Sequence, residues 1–330
     1  MRQPHLSRRT ALAAGAVVLA LAGCSAPREA GPPSQAPDTP DQALARVLMA
    51  EKQRTISLYA AMIAKGSAKL VPYRQRHEAH LAELRRRFPA LRPAAPATTG
   101  TASPGPTASS SATPTPPKVT LSQLRGIERK AAAARPRQIA GVTPSLAQLV
   151  ASIGACEALH ARTSVKAPAP PAAAGTTSAA DLGKLRKALA AEHAAIFAYG
   201  VLGARTTGPL RARLAGNFDA HRERRDELRV LITARGDRPV EPEASYALPS
   251  VPSSAAAATR LAGQVESGLM AAYLELTAAT DAGLRQYGAT AMQEAAARAH
   301  AFTPGMTPFP GLPAPATPPP PATATATPSG

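Results

Sequence analysis

"AEKQRTISLY", residues 50–59, and "AEHAAIFAYG", residues 191–200, align without a gap at an offset of 141 positions. The same offset carries "EAH" at 78–80 onto "DAH" at 219–221, so Glu51 to His80 and Glu192 to His221 both span 29 residues. One helical hairpin is written twice. A second pair of acids continues the parallel. Glu128 to Glu157 spans 29 residues and Glu266 to Glu294 spans 28, a difference that one loop residue absorbs.

Around these anchors run long Ala/Leu/Arg segments with helical periodicity and few β-branched stretches. Several begin with a start signal. Thr39 precedes Pro40, an N-cap followed by a proline at the first helical position; Thr120 has Gln123 three residues on, a capping box; Thr143 precedes Pro144. Eight helices are predicted, at about 40–65, 70–88, 121–140, 144–165, 179–204, 209–235, 254–281 and 285–300.

The expected fold class is all-α, with two four-helix bundles in tandem. The first covers 40–165 with a Pro/Thr/Ser/Ala insert at 90–117, a linker at 166–177 marks the boundary, and the second covers 178–302. Residues 303–330 read as a Pro/Ala/Thr tail, because such composition cannot bury enough apolar surface to build a core. Abundant alanine lets helix axes approach closely.

The first residues carry an address. "SRRTALAAGAVVLALAGC", residues 7–24, contains an apolar run from Ala11 to Gly23 that is too short to span a bilayer and suits a signal-peptide core. Arg8-Arg9 resembles a twin-arginine export signal, and "LAGC" resembles a lipoprotein box. That resemblance implies removal of residues 1–23, a diacylglycerol on Cys24, a tether at 24–38, and a place on the extracytoplasmic face of the cell membrane. An ordinary secretory signal in which Cys24 is incidental is the alternative.

The chain is basic, with a formal net charge of +17 over 330 residues. Cutting the leader removes Arg2, Arg8 and Arg9 and no acid, so the remainder stays basic. Such charge favours anionic lipid headgroups or wall polymers as partners. Nucleic acid is not expected, because aromatics are 3% of the chain, tryptophan is absent, and the 30 arginines are spread along every segment rather than set in a stripe. With Cys24 lipidated, Cys156 has no partner for a disulfide and reads as a small buried hydrophobe. No G-x-S-x-G, phosphate-binding glycine loop or H-E-x-x-H occurs, which leaves familiar hydrolase and nucleotide chemistry without support.

The chemistry-bearing residues of the first half are Glu51, His77, His80, Glu128, Glu157 and His160. Residues three apart lie on one helix face, so His77 and His80, or Glu157 and His160 within "ACEALH" at 155–160, can point together into a bundle. The set resembles the ferritin-like di-metal carboxylate family, in which two helices each give a Glu and two give Glu-x-x-His. Glu51, Glu128 and the Glu157/His160 pair match that pattern, while His77 stands where the family has Glu. The second half keeps Glu192, His221, Glu266 and Glu294 but has Phe218 and Ala297 where partners would complete the pairs. A weaker site or a structural copy is expected there. Tyr59 and Tyr199 sit on the glutamate-bearing helices and read as core residues within reach of a metal.

"AEHAAIFAYGVLGAR" at 191–205 and "AHRERRDELR" at 220–229 resemble the ferritin-like lipoproteins of high-GC Gram-positive bacteria. The resemblances together imply an exported, lipid-anchored protein that binds iron or manganese in its N-terminal bundle for a storage or redox role. The alternative is a non-catalytic envelope scaffold with degenerate metal sites.

Overall fold

A computed structural model describes residues 37–91, 119–162, 170–172 and 176–313. The leader, Cys24, most of the tether, the bulk of the 90–117 insert and of the 166–177 linker, and residues 314–330 lie outside the described residues. Among the described residues the chain is all-α and has no strand. The helices are α1 (Pro40–Ala64), α2 (Val71–Arg87), α3 (Leu121–Gln138), α4 (Pro144–Ala161), α5 (Ala179–Ala204), α6 (Gly208–Thr233), α7 (Ala255–Leu276) and α8 (Ala282–Phe302).

Local chemistry sets most of the boundaries. Thr39 with Gln42 and Thr120 with Gln123 form reciprocal capping boxes at α1 and α3, which satisfy amide groups that a helix start otherwise leaves open. Thr143 departs from the expected cap. Its hydroxyl donates to Asp41 Oδ2 at 2.6 Å and its amide to Asp41 Oδ1 at 2.9 Å, so the side chain ties the start of α4 to the start of α1. Helix α4 stops at Ala161, short of the predicted 165, because Arg162 takes a left-handed conformation. The α7 to α8 turn also comes earlier than predicted. Asp281 caps α8 by accepting from the Leu284 amide at 2.9 Å, and the Asp181 carboxylate receives the Thr280 amide at 2.8 Å and the Asp281 amide at 3.1 Å.

Helices pair as sequential hairpins, α1 with α2, α3 with α4, α5 with α6 and α7 with α8. Helix α5 packs on α7, and α4 packs on α8, so the α7/α8 hairpin touches both halves of the chain. Helix α4 is the central element. Nearly every side chain from Leu146 to Ala161 is buried, which its run of Ala, Gly, Ser and Cys allows by letting backbones approach closely. Arg285 on α8 donates from Nη1 to the carbonyls of Ile139 (3.0 Å) and Val142 (2.5 Å), clasping the α3–α4 turn.

Residues 303–313, read from composition as the start of a tail, are instead docked. The Pro308 carbonyl accepts from His80 Nε2 at 2.6 Å, the Pro310 carbonyl from the Ser152 hydroxyl at 2.7 Å, and the Met306 carbonyl from Arg76 Nε at 3.2 Å. Each of those donors lies more than a hundred residues away in the chain, which composition cannot see. No described helix is long and apolar enough to cross a membrane.

Candidate metal centre

Helices α1 to α4 each send a polar side chain to one buried point. Glu128 Oε1, from α3, is 2.7 Å from His77 Nε2 of α2 and 3.3 Å from His160 Nδ1 of α4; the two imidazole nitrogens are 3.2 Å apart. Tyr59 of α1 donates its hydroxyl to the same Oε1 at 2.7 Å. All four side chains are buried. The ring of Tyr73 lies 4.8 Å from that of His160, and Cys156 Sγ is 3.6 Å from His160 Nε2.

Two imidazole nitrogens and one carboxylate oxygen facing each other in a dry site favour a positive charge among them. An added proton on an imidazole can supply it. Burial works against charge on His160, but Cys156 and the Glu128 carboxylate outweigh it and lift the imidazole to about 10. Burial pushes His77 down, so it stays neutral. Burial would raise Glu128, yet the two imidazoles hold it well below the usual carboxylate range.

The same donor set suits a metal ion. His77, Glu128 and His160 are buried, and their ligand atoms lie together within the reach of one ion. Zinc-like bond lengths near 2.1 Å put ligands on one ion roughly 3 to 3.5 Å apart, so the observed triangle needs to open only at its 2.7 Å side. Two imidazoles and one carboxylate match iron, manganese or zinc.

The remaining first-half residues do not converge there. Glu157 is held by Lys52 and by Arg135, whose Nε and Nη2 donate to its two oxygens at 2.9 Å. Burial raises the Glu157 carboxyl, and the Arg135 and Lys52 charges overcome this and bring it down to about 2. Glu51, half-buried, takes a third bond from Arg135 Nη2 at 2.6 Å. His80 turns its Nε2 to Pro308, and its ring lies tilted beside that of Phe309 with centroids 5.3 Å apart. A six-residue, two-ion site is therefore not assembled, because Lys52 and Arg135 supply as side chains the positive charge that a second ion would bring. Neither cation was singled out from the sequence, although Lys52 directly follows Glu51 and Arg135 stands seven positions beyond Glu128.

The second half repeats the wiring with different groups. Tyr199 of α5 donates to Glu266 Oε1 of α7 at 2.6 Å, as Tyr59 does to Glu128. Tyr273, seven residues beyond Glu266, donates to Glu192, as Arg135 does to Glu51. His221 bridges the two acids, with Nδ1 at 2.8 Å from Glu192 and Nε2 at 3.1 Å from Glu266. Burial opposes its charge, and the hydrogen bonds to both carboxylates lift it to about 9. Arg298 holds Glu266 at 3.0 Å and Arg224 holds Glu294 at 2.6 Å. Both nitrogens of His221 are spent on carboxylates, so this half is a closed ion network. Tyr59 and Tyr199 are thus more than core residues, since each fixes a glutamate.

Residues 184–314 match the family described as a domain of unknown function, DUF4439. That match lies in the C-terminal part of the chain. The match covers α6 to α8, most of α5, and the docked segment at 303–313, so the docked segment falls inside the family's own extent. A similar solved structure is that of a conserved hypothetical protein, rv2844, from Mycobacterium tuberculosis, 35% identical, covering 38% of this chain and 97% of that chain, with a TM-score of 0.37. No curated protein matches the chain.

Proposed function

We propose that this is an exported, lipid-anchored helical protein of the ferritin-like kind, whose N-terminal half holds one divalent transition metal ion through His77, Glu128 and His160. The observation that carries this reading is the meeting of three buried donor atoms, from three helices, within 3.3 Å of one another. A single iron or manganese ion there would supply one-electron redox chemistry, in keeping with a storage or redox role. The chain's own residues would hold and orient it. Tyr59 fixes the Glu128 carboxylate, and Cys156 faces the outer nitrogen of His160, the arrangement by which a neighbour sets a ligating ring's tautomer. Export and the anchor rest on the leader and Cys24, with the extracytoplasmic membrane face and anionic envelope polymers as the setting.

The test is metal content. The full chain, purified from iron- and manganese-supplemented medium, is expected to carry a single equivalent, lost in His77→Ala, Glu128→Gln and His160→Gln variants that keep the wild-type helical circular dichroism. Equal metal in wild type and folded variants overturns the reading. The scaffold alternative then takes its place, and it has an observation of its own: every matching position of the second half is closed by ion pairs.

A further inference from the structure

A cleft of about 260 Å³ opens between α1 and α3, and the buried Glu128 and Glu157 line it. On another side of the trio the rings of Tyr59 and Tyr73 pack against His160. Four cations line the cleft. Lys52 and Arg135 are committed to Glu157 and Glu51, but Arg54 and Lys130 are exposed and have no ion-pair partner among the described residues. The uncommitted charge of the cleft is therefore positive. A cleft whose unpaired charges are all of one sign concentrates ions of the other sign.

Resting on the metal reading above, we propose that this cleft is the path by which a small oxyanion, a carboxylate or a phosphate, reaches the ion held at Glu128. Three protein ligands leave coordination positions open for such a group. The volume fits, since a water takes up about 30 Å³ and a small oxyanion with a few waters fills the remainder. A cation would meet Arg54 and Lys130 first and find Glu51 and Glu157 already paired. The cleft thus discriminates by charge before size.

The experiment uses the full chain loaded with cobalt(II), whose visible absorption reports its coordination, titrated separately with acetate and with inorganic phosphate. Wild type is expected to show a saturable band shift. The Arg54→Glu/Lys130→Glu variant, altered only on exposed side chains, is expected to bind the same cobalt but to need on the order of tenfold more anion, with the difference shrinking as salt rises. A response to acetate alone identifies carboxylates as the class, and a response to phosphate alone identifies phosphates. Cobalt bound without any anion shift, or with equal anion affinity in the variant, overturns the cleft and leaves the metal site standing. Failure of wild type to bind cobalt overturns the metal site and the cleft with it.

Discussion

Gln293 on α8 donates from Nε2 to the main-chain carbonyl of Ala132 on α3, at 2.9 Å. Pro136 lies four residues beyond Ala132 and has no amide to offer, so the helix itself leaves this acceptor open. A side chain from the other half of the chain fills it.

Gln293→Glu keeps the shape and replaces the donor with a buried carboxylate facing a carbonyl. At neutral pH this is expected to destabilise the fold by about 3 kcal/mol, the range for an uncompensated buried charge. Burial raises the new carboxyl's folded value above its unfolded one, so the deficit should shrink as pH falls and the acid gains a proton to donate. Urea midpoints at pH 7 and pH 4.5 check this, and a deficit that grows on acidification contradicts it.

Gly154 lies where α4 crosses α3 and α8. A Cβ there would stand 2.9 Å from Arg135 Cβ and 3.0 Å from Gln293 Nε2. Alanine gains up to about 1 kcal/mol of helix propensity over glycine, whereas overpacking costs about 1 to 3 kcal/mol. Gly154→Ala should therefore lower the melting temperature, while the same change at Gly183, with open space around it, should not.

Arg135→Met removes the partner of Glu157 and Glu51 together. A loss of about 3 to 5 kcal/mol is expected, because the Glu157 carboxylate then keeps only Lys52. Adding Glu157→Gln should cost less than it does in wild type, since the Arg135–Glu157 bonds are already gone, although Lys52 then loses its ion pair. Additive losses in the double variant would show that the pair is not coupled.

His221 gives a stability signature in pH. Its folded value of about 9 exceeds the roughly 6.5 of an unfolded histidine, so the folded state binds the extra proton between them. The stabilisation is complete below about pH 6.5 and is lost as pH rises through 9, up to about 3 kcal/mol in all. His221→Gln should be less stable than wild type at pH 6.5, and the gap should narrow by pH 9.5. A gap independent of pH would mean that His221 is neutral in the fold.

Cys24→Ala is expected to move the protein from the membrane fraction to the soluble fraction, because the leader's own apolar run is too short to hold it. Retention in the membrane would remove the lipid anchor from the proposal.

What the sequence by itself determined was the helices and their doubling. Caps such as Thr39 and Thr120 act within a few residues, and the glutamates recur at similar offsets, 141 positions from Glu51 to Glu192 and 138 from Glu128 to Glu266, so they are legible along one chain. It also put acids and histidines on the right helices. Which of them would meet was decided only in three dimensions. His77 and His160 joined Glu128, while Glu157 and Glu51 were taken by Lys52 and Arg135, because a buried carboxylate accepts whichever cation the crossing of helices brings within reach. The same holds for residues 303–313, whose carbonyls found His80, Ser152 and Arg76 across the fold. Composition reports only that such a segment lacks a core of its own; the surface it can borrow belongs to the tertiary structure.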